Sequence, residues 1–176
     1  MKRNNVLTDH TLIIDELERS IKLHNWNSIL SFLPKGSYLV GGYIRNIILK
    51  RVTEEVDVDI VVPFNAIEIG QMISENIKSK FIILDKEREV VRIILNHISI
   101  DIANQISSTI EDDLSSRDFS INSIAFLFDE KILFDPLNGL KDLEFSLLKT
   151  YSEINLINDP LRILRCFRFV SELNFK

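Results

Sequence analysis

The strongest chemical signal in the chain is Asp57-Val58-Asp59, set in the β-branched run Val56–Val62 that Pro63 closes. In an extended strand residues i and i+2 project from the same face, roughly 6.5 to 7 Å apart. Two carboxylates held side by side among valines are costly unless a cation meets them. A pair of Mg²⁺ ions fits that demand, because Mg²⁺ takes hard oxygen ligands and shares them with substrate phosphates. The alternative is two solvated acids on an open strand face. A second signal is Gly41-Gly42, ahead of a helical segment that carries Arg45. Paired glycines let backbone amides approach a phosphate, a helix start adds favourable partial charge, and Arg45 sits one turn in. A tight turn with a surface arginine is the plainer account. The turn precedes the acidic strand closely enough for the two to be neighbours in one sheet.

A third carboxylate, Asp101, lies on the strand Ile98–Ile102, where it could complete a metal site or orient an attacking hydroxyl. Toward the C-terminus Asp159, Arg162, Arg165 and Arg168 recur every third residue, a slowly drifting stripe on one side of a helix. Such stripes are commonly solvated. As a wall, though, a carboxylate and a guanidinium could meet the hydrogen-bonding edge of a base, with further arginines on phosphates. Ser116–Asn122 packs Arg117, Asp118 and Asn122 beside aromatics, and Asp135–Gly139 is a turn sequence.

These groups need a scaffold, and hydrophobic periodicity outlines one. Residues 10–33 read as a helix with Leu12, Ile13, Leu17, Ile21 and Leu23 as its apolar positions, stopped by Pro34 and Gly36. Ser37–Val40, the glycine turn and the helix through Arg45 follow. After Val56–Val62 comes an amphipathic helix over 64–78, with Ile67, Met72, Ile73 and Ile77 as its apolar residues. Phe81–Leu84, Val90–Leu95 and Ile98–Ile102 read as strands with turns at Asp85-Lys86 and Asn96-His97. A short acidic helix is expected over Thr109–Leu114. Phe119–Phe128 is expected to pass from helix into a strand that pairs with Ile132–Phe134. The chain from Asp159 onward reads as helix, with Pro160 in its first turn. The fold class is α/β or α+β, a small mixed sheet with helices on it.

The chain has 176 residues, enough for one ordinary domain and the start of a second. Its single cysteine excludes a disulfide framework or zinc knuckle, and its three histidines lie too far apart for ligand spacing. No signal peptide or membrane span is readable, so a cytoplasmic location is expected. A net charge of −5 argues against bulk electrostatic binding of nucleic acid, but it leaves room for a local cationic cleft.

Taken in order, five stretches resemble the head of the bacterial-type (class II) tRNA nucleotidyltransferase and poly(A) polymerase family. They are Leu39–Arg45, Asp57–Asp59, Arg117–Asn122, Asp135–Gly139 and Asp159–Phe169. The resemblance implies a polymerase-beta-like nucleotidyltransferase head over about 1–150 and the start of a helical neck over 151–176. It implies untemplated addition of C or A from CTP or ATP to a tRNA 3′ end, with Mg²⁺ as the cofactor. On that analogy Asp57 and Asp59 hold the metals, with Asp101 a further catalytic candidate. Gly41, Gly42 and Arg45 match the triphosphate turn, and Arg117 and Asn122 match nucleotide contacts. Asp159 and Arg162 match the pair that reads the incoming base, and Arg165 and Arg168 match further nucleotide contacts.

Three positions depart from the family pattern: Asn46 stands for an aspartate, Asn158 for a glutamate and Ser120 for a threonine. The span between Ile102 and Asp113 is short, which resembles the CC-adding subgroup. The chain stops just after the base-reading helix and so reads as a head with an incomplete grip on tRNA and reduced activity. A poly(A) polymerase or A-adding enzyme is the nearest rival. A non-catalytic nucleotide-binding module is the rival of another class, and the intact acid pair argues against it.

Overall fold

Side-chain alternation in the valine- and isoleucine-rich segments dictates a sheet with one apolar face, and the computed structural model contains it. The structure describes residues 6–24, 26–51 and 54–176. Its seven strands are β1 (Tyr38–Val40), β2 (Val56–Val62), β3 (Lys80–Asp85), β4 (Val90–Leu95), β5 (Ile98–Asn104), β6 (Ala125–Leu127) and β7 (Ile132–Phe134). They stand in the order β3-β4-β5-β2-β1-β6-β7. β2 and β5 run parallel, and every other neighbouring pair is antiparallel. The parallel pair requires a crossover, supplied by the helix Ala66–Ile77 and the β3–β4 hairpin.

The helices are α1 (His10–Leu23), α2 (Asn27–Leu30), α3 (Gly42–Ile48), α4 (Ala66–Ile77), α5 (Ile110–Ser115), α6 (Gly139–Glu144), α7 (Glu153–Asn158) and α8 (Leu161–Leu173), with a 3₁₀ turn at Ser120–Asn122. Val58, Ile60, Val62, Ile93, Ile100, Ile102 and Phe126 fill the main core with Ile13, Leu17 and Ile21 of α1. On the opposite face Ile110 and Leu114 of α5 lie on Val40, Val61 and Ala125. The rest of that face carries the acids. Core packing thus occupies one side of β2, and its other side carries Asp57 and Asp59 beyond the patch that α5 covers at Val61.

Several elements differ from expectation. The helix over 10–33 is two helices, because Trp26 turns into the core after α1 ends; Asn25 lies outside the described residues. Only Ile13, Leu17 and Ile21, spaced four apart, are buried in α1, while Leu12 and Leu23 face solvent. In α4 the buried positions are Ala66, Ile69, Gly70, Ile73 and Ser74, and Met72 is exposed. Gly70 is required there, since a Cβ would lie 2.5 Å from Val91 Cγ2. Only a 3₁₀ turn precedes β6. The turn sequence Asp135–Gly139 opens a helix, α6: the Asp135 carboxylate accepts from the amides of Gly139 at 2.6 Å and Leu140 at 3.0 Å.

Candidate active site

The acid pair follows directly from strand geometry. Asp57 and Asp59 project from the same face of β2, Asp57 exposed and Asp59 half-buried. Antiparallel β1 sets Val40 opposite Asp59, so the chain leaves β1 at Gly41 beside that carboxylate. Gly41 has φ +78°, and a Cβ on it would sit 3.0 Å from Asp59 Oδ2 and 3.3 Å from Arg117 Nη1. Only glycine fits there. At Gly42 a Cβ would come within 3.4 Å of Arg45 Nη2. The glycine pair thus makes room for an acid on one side and a guanidinium on the other.

Arg45 is only 7% exposed. Its guanidinium donates to Oδ1 of Asn122 and Oδ1 of Asn46, and it lies 4.9 Å from the centroid of the Phe169 ring. Burial takes its pKa down to about 10, so it stays charged at neutral pH among neutral hydrogen-bond partners. Asn46, where the family pattern has an aspartate, therefore leaves the charge of Arg45 without a carboxylate in direct contact.

Asp118 ties the arginine stripe of α8 to the sheet. It is 5% exposed. Its Oδ1 accepts from the Phe119 amide at 2.8 Å and from Asn122 Nδ2 at 3.0 Å, and Arg165 Nη2 approaches Oδ2 at 2.9 Å. Arg162 donates to the Ser116 carbonyl at 2.8 Å and to Asp159 at 3.4 Å. Arg117 reaches buried Asp113 at 3.5 Å.

A cavity of about 920 Å³ joins these parts. Gly41, Gly42, Arg45, Asp57, Asp59, Arg117, Asn122, Asp159, Arg162, Arg165 and Arg168 all line it. Asp101 does not. It stands directly opposite Asp59 in the β2–β5 register, and Arg92 of β4 grips it through two hydrogen bonds of 2.7 and 2.8 Å. Sequence reasoning also missed lining residues from α1, Arg19 and Ser20 among them, because nothing in an amphipathic helix says what its polar face will meet. The partnership of Asp118 with Arg165 was equally hidden, although Asp118 sits inside the Ser116–Asn122 segment.

Asp59 has its pKa raised. Burial is the main cause, the nearby charges of Asp101 and Asp57 add to it, and Arg117 opposes it. Among the described residues neither Asp57 nor Asp59 accepts a hydrogen bond, and no three His, Cys, Asp or Glu side chains form a complete metal cage. An exposed and a half-buried carboxylate, side by side and without a hydrogen-bond donor among the described residues, suit a divalent ion whose remaining ligands come from phosphate and water. The donor set fits.

An acid pair on the central strand, a glycine turn beside it and a cationic helix across the cavity define a nucleotidyltransferase head. Residues 37–149 match the Poly A polymerase head domain family, and the chain belongs to that family. It is 40% identical to a CC-adding tRNA nucleotidyltransferase from Synechocystis sp. over 83% of this chain and 35% of that protein. An A-adding tRNA nucleotidyltransferase from Deinococcus radiodurans is 36% identical, over 81% of this chain and 32% of the relative. A solved complex of a CCA-adding enzyme with ATP matches with TM-score 0.77 and 28% identity, covering 94% of this chain and 42% of the other. The chain spans about a third of the length of the curated relatives it matches. Among the described residues no helix is long and apolar enough to cross a membrane.

Proposed function

We propose that this chain is the catalytic head of a tRNA nucleotidyltransferase, which adds C, A or both from CTP or ATP to a tRNA 3′ end. One observation carries the reading: the acid pair and the arginine stripe face each other across a single cavity large enough for a nucleotide. Its cellular location would be the cytoplasm. Residues 1–150 would form the head, and 151–176 would belong to the start of a helical neck.

Asp57 and Asp59 would hold Mg²⁺. When bound, the metal supplies charge neutralisation for the triphosphate and lowers the pKa of the attacking hydroxyl. The side chains of this protein do the positioning. Arg45, whose buried charge is not neutralised by a contacting carboxylate, takes the triphosphate oxygens beside Gly41 and Gly42. Arg117 and Asn122 hold the sugar-phosphate portion. Asp159 and Arg162 present one acceptor group and one donor group to the Watson–Crick edge of the incoming base, which replaces a template strand. Arg165 and Arg168 complete the cationic wall. Asp101, outside the cavity and held through both oxygens by Arg92, makes no contact with the acceptor hydroxyl; its charge acts on Asp59 across the sheet. In the transfer the tRNA 3′ oxygen attacks the α-phosphorus, the bond to the β-phosphate oxygen breaks, and pyrophosphate leaves.

Addition of C is the favoured specificity. The connection from β5 to α5 is short and tied down: Gln105 N–H donates to the Val62 carbonyl at 2.8 Å, Gln105 Nε2 to the Ser107 carbonyl at 2.7 Å, and Ile106 N–H to Asp113 at 3.3 Å. The full-length protein should be incubated with tRNA ending at the discriminator base, tRNA ending in CC and unrelated RNA, with CTP and ATP tested separately. Two cytidines on the first substrate and no AMP on the second is the expected result. Efficient AMP addition after CC would discard the CC assignment. Retention of nucleotide addition by Asp57→Ala would discard the enzymatic reading in favour of a nucleotide-binding module.

A further inference from the structure

Phe169 is 3% exposed and lies between the two halves of the site. Three guanidiniums approach its ring, with centroid distances of 4.9 Å for Arg45, 5.0 Å for Arg168 and 5.9 Å for Arg165. All three fall within the range of cation–π attraction. Its edge meets Phe119 at 5.7 Å with the rings perpendicular, a favourable aromatic geometry. Phe119 follows Asp118, whose carboxylate binds both Arg165 of α8 and Asn122, and Asn122 binds Arg45 of α3. The circuit is closed: α3, the 118–122 segment and α8 meet at this one ring. Elsewhere on α8 Leu173 is also buried and Cys166 packs on the core, whereas Leu161, Leu164 and Phe167 face outward.

We infer that Phe169 is a positioning residue that couples the triphosphate-binding arginine Arg45 to the orientation of the base-reading helix α8, so that nucleotide choice depends on the triphosphate being held. The inference rests on the functional reading above. A nucleotide need not touch Phe169. Anion binding at Arg45 moves or fixes that guanidinium on the ring, and the ring sets the position of Arg162, about two turns away on α8, and of Asp159, which lies just before that helix and pairs with Arg162.

The chain offers its own readout. Its single tryptophan, Trp26, packs on Tyr43 with ring centroids 5.3 Å apart, and Tyr43 follows Gly42 at the cavity. Binding of CTP, UTP and inorganic tripolyphosphate can therefore be followed by Trp26 fluorescence and checked by calorimetry. Phe169→Leu is expected to shrink the preference for CTP over UTP about fivefold or more, with tripolyphosphate affinity changed less than about twofold. Phe169→Tyr should keep the preference, because it keeps the ring. Arg45→Lys should also shrink it, although Arg45 meets no base, and this variant decides the matter if Phe169→Leu does not fold. Weakening of all three ligands by a common factor in Phe169→Leu would overturn the coupling, as would an intact preference in Arg45→Lys. An unaltered chain that binds both nucleotides without preference overturns the coupling alone. One that binds none of the three ligands overturns the functional reading and the coupling with it.

Discussion

On the sheet side of the cavity Asp57 and Asp59 stand side by side with no hydrogen-bond donor on either among the described residues. On the helix side Arg162 and Arg165 of α8 are each tied to a carbonyl or carboxylate of the head. The acid floor is thus held by strand geometry alone and remains electrostatically unsatisfied, whereas the cationic wall is satisfied and owes its place to tertiary contacts. A strand presents i and i+2 on one face whatever surrounds it. A helix lying at the edge of a domain stays there only if something holds it. The difference predicts that changes to the floor alter chemistry and metal binding with little change in fold, and that changes beneath the wall alter stability first.

The largest effect is expected at the floor. Asp59→Asn in the full-length protein should reduce nucleotide addition about 10³-fold or more, with the unfolding midpoint of the metal-free chain unchanged or raised. A lowered midpoint would mean that the pair is structural. Beneath the wall, Asp118→Ala should cost about 2 to 3 kcal/mol in denaturant unfolding, because it strands a buried amide and the Asn122 carboxamide and frees Arg165. Arg165→Ala should cost less than about 1 kcal/mol, since that arginine is half exposed. A stability cost for Asp59→Asn equal to that for Asp118→Ala would erase the distinction between floor and wall.

Gly41→Ala tests the junction of the two regions. A Cβ at φ +78° and 3.0 Å from Asp59 Oδ2 should cost about 2 kcal/mol and weaken divalent-ion binding as well, read by thermal unfolding with and without Mg²⁺.

The raised pKa of Asp59 gives a pH test with a definite sign. Because the folded state favours the protonated form, the chain loses this contribution as pH rises from the ordinary carboxylate range through the elevated pKa. A bound divalent ion removes that penalty by pairing with the charged form. Stabilisation by Mg²⁺ should therefore grow as pH rises through that elevated pKa and fall away as pH drops below it, where a proton occupies Asp59. Asp59→Asn should flatten the profile. The smallest effect belongs to the outer face of α8: Phe167→Ser, at a side chain 69% exposed, should change the stability of this chain by less than about 0.5 kcal/mol.

Much of this molecule was readable from residue order. The limits of β2, the β4–β5 hairpin and the β6–β7 hairpin follow from β-branched runs bounded by turn residues, and those local preferences survive folding. So does the short acidic helix expected over Thr109–Leu114, found as α5 (Ile110–Ser115), where the structure adds that Thr109 Oγ1 accepts from the Asp112 amide at 3.2 Å. The acid pair and the arginine stripe could be named because two and three are the periods of strand and helix faces. Helices α6 and α7 were not legible: each is short and held by tertiary contacts, such as Asn155 Nδ2 donating to the carbonyls of Ser115 and Arg117. For Asp101, spacing placed it on the acidic face, but the sequence could not show that Arg92 occupies both its oxygens.

Sequence alone determined which groups carry charge and which alternate toward the core, since these depend on covalent structure and on neighbours a few residues away. Tertiary structure decided which charges meet. Asp118 and Arg165, Arg45 and Phe169, and Asp101 and Arg92 are each brought together by sheet register and helix docking, and the interactions between them act only over a few ångströms of space.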